Sequence, residues 1–156
     1  MSDNEELKFE LFASGDFVRI LPIAYLYPNA DLDWDKNWIQ SQIEINALPF
    51  HGKYKASLMT IDFEMLKQEL TRIYDDLSGS TMFSSLEHFI EIKIKGDGIG
   101  HFVATCAAQD TASFPVNKLS FELHFDQTQI PGLIAHLDKI TKTFPIIGNE
   151  FRVQNR

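Results

Sequence analysis

The chain has 156 residues, 44% of them hydrophobic, with 14 Lys and Arg against 22 Asp and Glu and a formal net charge of -8. A chain of about 150 residues buries roughly 70% of its unfolded surface, so residues 1–156 suit one domain that needs no disulfide or metal staple. The acidic balance argues against unaided nucleic-acid binding, which is driven by counterion release from clustered cations, and favours a basic protein partner.

Residues 1–6 are polar and acidic and read as a frayed terminus. No basic, apolar leader opens the chain, and no window approaches the ~18 apolar residues of a membrane span. The single Cys106 cannot pair within the chain and sits in a strand-like run, where a buried, inert thiol in a reducing compartment is expected. These features predict a cytoplasmic protein without membrane contact.

Leu7, Phe9 and Leu11 alternate with Lys8 and Glu10. With a turn at Gly15-Asp16 and a second extended segment from Phe17 to Tyr27, broken by Pro22, they predict a hairpin. The turn-rich Tyr27 to Asp31 leads into Asp31, Asp33, Trp34, Asp35, Asn37 and Trp38, the densest mix of carboxylates and indoles in the chain. Ile39, Ile43 and Ile45 continue as a strand ended by Pro49. A turn at His51-Gly52 precedes a strand carrying Tyr54, Ala56 and Leu58.

A helix follows, capped by Thr60 or Asp62 and ended by a left-handed Gly79. Its apolar stripe is Phe63, Leu66, Leu70, Ile73, Tyr74 and Leu77. Ser80 to Leu86 reads as an extended link. Ile90, Ile92 and Ile94 alternate with Glu91, Lys93 and Lys95; Gly96 to Gly100 turns the chain; His101 to Ala108 returns antiparallel. Leu119, Phe121, Leu123 and Phe125 mark another strand. Asp126-Gln127-Thr128 then caps a helix with Pro131 in its first turn and Ile130, Leu133, Ile134, Leu137, Ile140 and Phe144 along one stripe. A last strand is predicted from Ile146 to Val153, and no internal repeat is visible.

Strands in consecutive runs, without strict strand-helix alternation, predict an α+β fold. Its sheet is mostly antiparallel, of about seven strands, strongly curved or sandwich-like, with two amphipathic helices.

The Gly-Asp-Gly-Ile-Gly run at Gly96 to Gly100 lacks both the dinucleotide spacing and a Walker lysine, and a strand follows it, so it reads as a hairpin turn. Asp31, Asp33 and Asp35 begin like a calcium loop, but Lys36 stands where glycine is needed and Gln42 where a bidentate glutamate is needed. The block then reads as a turn anchored by Trp34 and Trp38, or as an acidic contact for an Arg-rich or Lys-rich surface. His124 and Asp126 share a strand face with His101 nearby. That set could hold a metal or small ligand, against the plainer reading of solvated polar residues. His51, His88 and His136 are scattered. Cys106 lacks the surroundings of a nucleophile, and no Ser sits in a G-x-S-x-G elbow.

Four motifs occur in a particular order: Asp-Trp-Asp-x-Asn-Trp-Ile (Asp33 to Ile39), Leu-Ser-Gly (Leu77 to Gly79), Gly-Asp-Gly-x-Gly-His (Gly96 to His101), and Phe-Asp-Gln-Thr (Phe125 to Thr128) before a helix ending in Phe144-Pro145. In that order, from Phe17 to Pro145, the chain resembles the WapI family of bacterial immunity proteins. The resemblance implies a cytoplasmic antidote that binds the C-terminal toxin domain of a contact-dependent secreted protein, in the named case a tRNA-cleaving nuclease. It implies no catalytic residue, cofactor or metal.

Joined to the acidic charge, the resemblance suggests that Asp31, Asp33, Trp34, Asp35, Asp75, Asp76 and Asp97 meet a basic toxin domain. A small-ligand or metal domain built on His101, His124 and Asp126 is the alternative, and a homodimer through an exposed strand edge stays open.

Overall fold

The computed structural model describes residues 6–148. The alternating segments form two four-stranded antiparallel sheets, each in sequential order. The first contains β1 (Phe9–Ala13), β2 (Asp16–Tyr25), β3 (Trp38–Ala47) and β4 (Phe50–Met59); the second contains β5 (Ser78–Ser84), β6 (Ile90–Asp97), β7 (His101–Gln109) and β8 (Lys118–Asp126). A one-turn helix α1 (Asp33–Lys36) interrupts the first sheet, and two long helices follow the sheets, α2 (Thr60–Asp76) and α3 (Ile130–Thr143). The expected α+β class with mostly antiparallel strands is what the chain adopts.

The period-2 patterning decides which faces are buried. Phe9, Leu11, Val18, Ile20, Ile43 and Ile45 turn inward from the first sheet, and Ile90, Ile92, Ile94, Ala104 and Leu123 from the second. Phe63, Leu66, Leu70 and Ile73 of α2 and Ile130, Leu133, Leu137 and Ile140 of α3 complete one continuous core that joins both sheets.

The architecture repeats. Residues 9–76 and 78–143 each run through four strands into a long helix, a symmetry that the sequence does not display. Each helix packs on the first strand of the other unit: α2 lies against β5 and α3 against β1. The helices run antiparallel, because Thr60 at the start of α2 donates to the Phe144 carbonyl after α3, and the Lys67 ammonium donates to the Thr141 hydroxyl at 3.2 Å. The open edge of β1 is closed by a side chain: the Gln129 carboxamide accepts from the Phe12 amide at 2.9 Å and donates to its carbonyl at 2.8 Å, as a neighbouring strand would.

Several local expectations are corrected. The chain turns at Leu48 and Pro49 between β3 and β4, not at His51-Gly52; both of those residues lie inside β4, with Gly52 paired to Ile45. α2 ends at Leu77, in the left-handed region at φ 58, not at Gly79. Leu77 packs on the core, and its carbonyl accepts from Gly98 at 2.8 Å, so packing offsets the cost of that conformation in a residue with a side chain. The residue preceding α2 is Met59, whose own side chain makes no cap bond, and Tyr74 is exposed rather than part of the buried stripe. The link at Ser80 to Leu86 is largely strand β5, raising the number of strands among the described residues to eight. Ile146 to Gly148 is not strand, and the rest of that predicted segment lies outside the described residues, as do residues 1–5 of the expected frayed terminus.

Candidate functional site

The predicted contact residues fall into two groups at opposite ends of α2. A helix of 17 residues spans about 25 Å at 1.5 Å per residue. Asp31, Asp33, Trp34 and Asp35 lie toward its start, since the Asn37 carbonyl accepts from the Thr60 amide at 3.1 Å. Asp75 and Asp76 occupy its last turn, and Asp97 is brought beside them by the pairing of Ser78 with Asp97.

At the first end, much of the Asp-Trp block is structural. Asn37 is fully buried. Its amide nitrogen donates to the Asp33 carbonyl at 2.9 Å and to the Ile147 carbonyl at 3.0 Å, while its oxygen accepts from the Ile147 amide at 2.7 Å. Trp34 and Trp38 pack with Met59, Ile61 and Ile146 in a small satellite cluster. The Tyr25 hydroxyl donates to the Pro145 carbonyl at 2.6 Å, and its ring meets Phe144 edge-on. Together these residues clamp the segment 144–148 to the body.

Asp33 belongs to the clamp: its carboxylate takes the Lys36 ammonium at 3.1 Å, and Gly148 approaches so closely that a Cβ there would stand 2.7 Å from the Asp33 Cβ. Asp31 is exposed. Asp35 lines a shallow concavity of about 560 Å³ with Tyr27, Pro28 and Asn29. Asp31 is thus the exposed carboxylate of the block, and Asp35 is half-buried.

At the second end, Asp75 and Asp76 are exposed, and no basic residue shares their last turn. They sit at the negative end of the helix dipole, where carboxylates are disfavoured. Asp97 holds its turn: it accepts from the Ile99 amide at 2.8 Å, the His101 amide at 3.1 Å and the His101 ring at 3.0 Å. The Ile99 and His101 bonds hold its carboxyl below the usual range.

His101, His124 and Asp126 do share one concavity, of about 550 Å³, on the β6–β7–β8 face with Lys95 and Val103. His101 pairs with Asp126 and Val103 with His124 across the ladder. Each is engaged elsewhere, however. His101 is held by Asp97, His124 lies 3.8 Å from Glu122, and Asp126 caps the turn before α3 by accepting from the Thr128 amide at 2.9 Å. Among the described residues no group of three or more His, Cys, Asp or Glu side chains is placed to hold a metal. Cys106 is buried as expected, and burial pushes its thiol up to about 12, far from nucleophilic use.

Two residues escape sequence reasoning. Asp62 reads as a cap, yet burial pushes its carboxyl up to about 7 against a single opposing backbone hydrogen bond from Met59, and one of its oxygens has no partner. Phe114 sits in a polar loop and is 92% exposed. Only the apolar residue within Ser113-Phe114-Pro115 hinted at it.

The sequence model of the immunity protein WapI-like family matches residues 8–145. The chain belongs to that family. No curated protein matches this WapI-like chain. By structure it is similar to MRP1/MRP2 of Trypanosoma brucei, at 11% identity and a TM-score of 0.48 over 87% of this chain and 84% of that one. It is also similar to the plant transcriptional regulator PBF-2, at 12% identity and a TM-score of 0.42 over 93% and 91%. At that distance nothing about ligands or partners carries over to the WapI-like chain. No helix among its described residues is long and apolar enough to cross a membrane.

Proposed function

We propose that the chain is a cytoplasmic antidote that binds a cognate secreted toxin domain and blocks it by contact, making and breaking no covalent bond. The observation that carries this reading is the WapI-like match over residues 8–145. The net charge of -8 supports a basic partner, such as a nuclease whose cleft is built for phosphates.

Carboxylates presented by a rigid scaffold would occupy such a cleft. Asp75, Asp76 and Asp97 form the better candidate contact, because a Lys-rich or Arg-rich surface would relieve the repulsion between two exposed aspartates and the α2 C-terminus. Asp31 and Asp35 form the second candidate. Asp33 and Trp34 support it from within the clamp.

Co-expression with a candidate toxin domain taken from a gene adjacent to that of this chain tests the function. Restored growth and a stable complex are expected, and unrelieved toxicity without a complex contradicts the proposal. Paired reversals, Asp75→Lys with Asp76→Lys and separately Asp31→Lys with Asp35→Lys, identify the contact end. If neither pair weakens neutralisation, the carboxylates do not make the contact.

A further inference from the structure

The repeated architecture exposes what has been added to it. In the first unit, β3 and β4 are joined by the two-residue turn at Leu48 and Pro49; in the second, the equivalent β7 and β8 are joined by residues 110–117. At the apex of this longer connection stands Phe114, 92% exposed, against 76% for Ile99, the next most exposed large apolar side chain.

The loop that carries it is internally braced. At its base the Asp110 amide donates to the Asn117 carbonyl at 3.2 Å, and the Asp110 carboxylate accepts from the Asn117 amide and carboxamide, both at 2.9 Å. Higher up, Gln109 donates to the Thr111 carbonyl at 2.7 Å, and the Thr111 hydroxyl accepts from the Ser113 amide at 3.2 Å. Pro115 fixes the backbone directly after the phenylalanine.

We infer that Phe114 is an apolar anchor that inserts into a concave apolar pocket on the toxin domain, a contact separate from the carboxylates. The inference rests on the antidote reading. A flexible loop would pay ordering entropy on docking, whereas the backbone that carries this aromatic is already braced at Thr111 to Ser113 and across Asp110 and Asn117, and aromatics are among the side chains that dominate binding energy. Phe114 stands 92% exposed in the middle of the connection between β7 and β8, so it fits a pocket better than a flat face. The net charge of -8 disfavours an anionic membrane as the occupant.

The test is calorimetric titration of the purified chain against the toxin domain that co-expression identifies as its target, in inactivated form, for wild type, Phe114→Ala and Phe114→Asp. A dissociation constant raised at least about thirtyfold in Phe114→Ala, and further in Phe114→Asp, with unchanged urea unfolding, is the expected result. Wild type binding with both variants equally tight overturns this inference and leaves the antidote reading standing; wild type failing to bind overturns both. A concentration-dependent dimer that Phe114→Ala abolishes, with toxin binding intact, assigns the side chain to self-association and also overturns the inference.

Discussion

Replacing Asp62 by Asn should stabilise the protein at neutral pH and do almost nothing in acid. Burial raises the folded-state carboxyl from 3.8 to about 7. The folded protein therefore keeps a proton that the unfolded chain releases between those values. Stability from this group is complete below pH 3.8, falls as pH rises through the window, and reaches its lower plateau above pH 7. At about 1.4 kcal/mol per pH unit the fall is bounded by about 4 kcal/mol, and the residue's partial exposure brings the expected value nearer to about 2 kcal/mol. Asn keeps an acceptor for the Met59 contact and carries no charge to bury. Urea unfolding of wild type and Asp62→Asn from pH 4 to pH 8 should show curves that coincide at the acid end and separate steadily up to pH 7. Separation that is independent of pH would refute the assignment, because it would mean that packing, not ionisation, distinguishes the two proteins.

Asn37→Ala removes three hydrogen bonds at a fully buried site and leaves the Ile147 amide and carbonyl without their partner. It should cost about 3 kcal/mol by chemical denaturation and raise proteolytic sensitivity near residues 144–148 before global unfolding. Tyr54→Phe deletes the hydroxyl that donates to the Phe89 carbonyl at 2.6 Å and ties β4 to the second sheet; a loss of about 1 to 2 kcal/mol is expected in the same assay. Cys106 should resist a thiol reagent at pH 8 in the native protein and react at once in urea, since its thiol is buried and held near 12.

What the sequence made legible was whatever short-range periodicity controls. Ile90, Ile92 and Ile94, or Leu133, Leu137 and Ile140, mark their buried faces by spacing alone, and the hairpin at Gly96 to Gly100 follows from glycine chemistry. Leu77 was not legible. Its left-handed backbone is held by core packing and by the Gly98 amide, a contact between residues distant in the chain. The twofold arrangement was hidden for a similar reason, because the two units share strand order and helix docking without a shared residue pattern.

The candidate site was legible by composition and not by position. The aspartates around Trp34 stand out as a block, yet their separation from Asp75, Asp76 and Asp97 is set by the length of α2 lying between them. The structural duty of Asn37 depends on Ile147, 110 residues away. Asp62 looks identical to an exposed cap until its burial is known.

Silencing a toxin by holding it is the activity we propose for this chain. Measuring the activity of the purified cognate toxin domain on its own substrate, with increasing amounts of the chain, tests that claim most directly. Activity is expected to fall to zero at a fixed molar ratio, with inhibition that weakens as salt is raised. Undiminished activity at a large molar excess would contradict it.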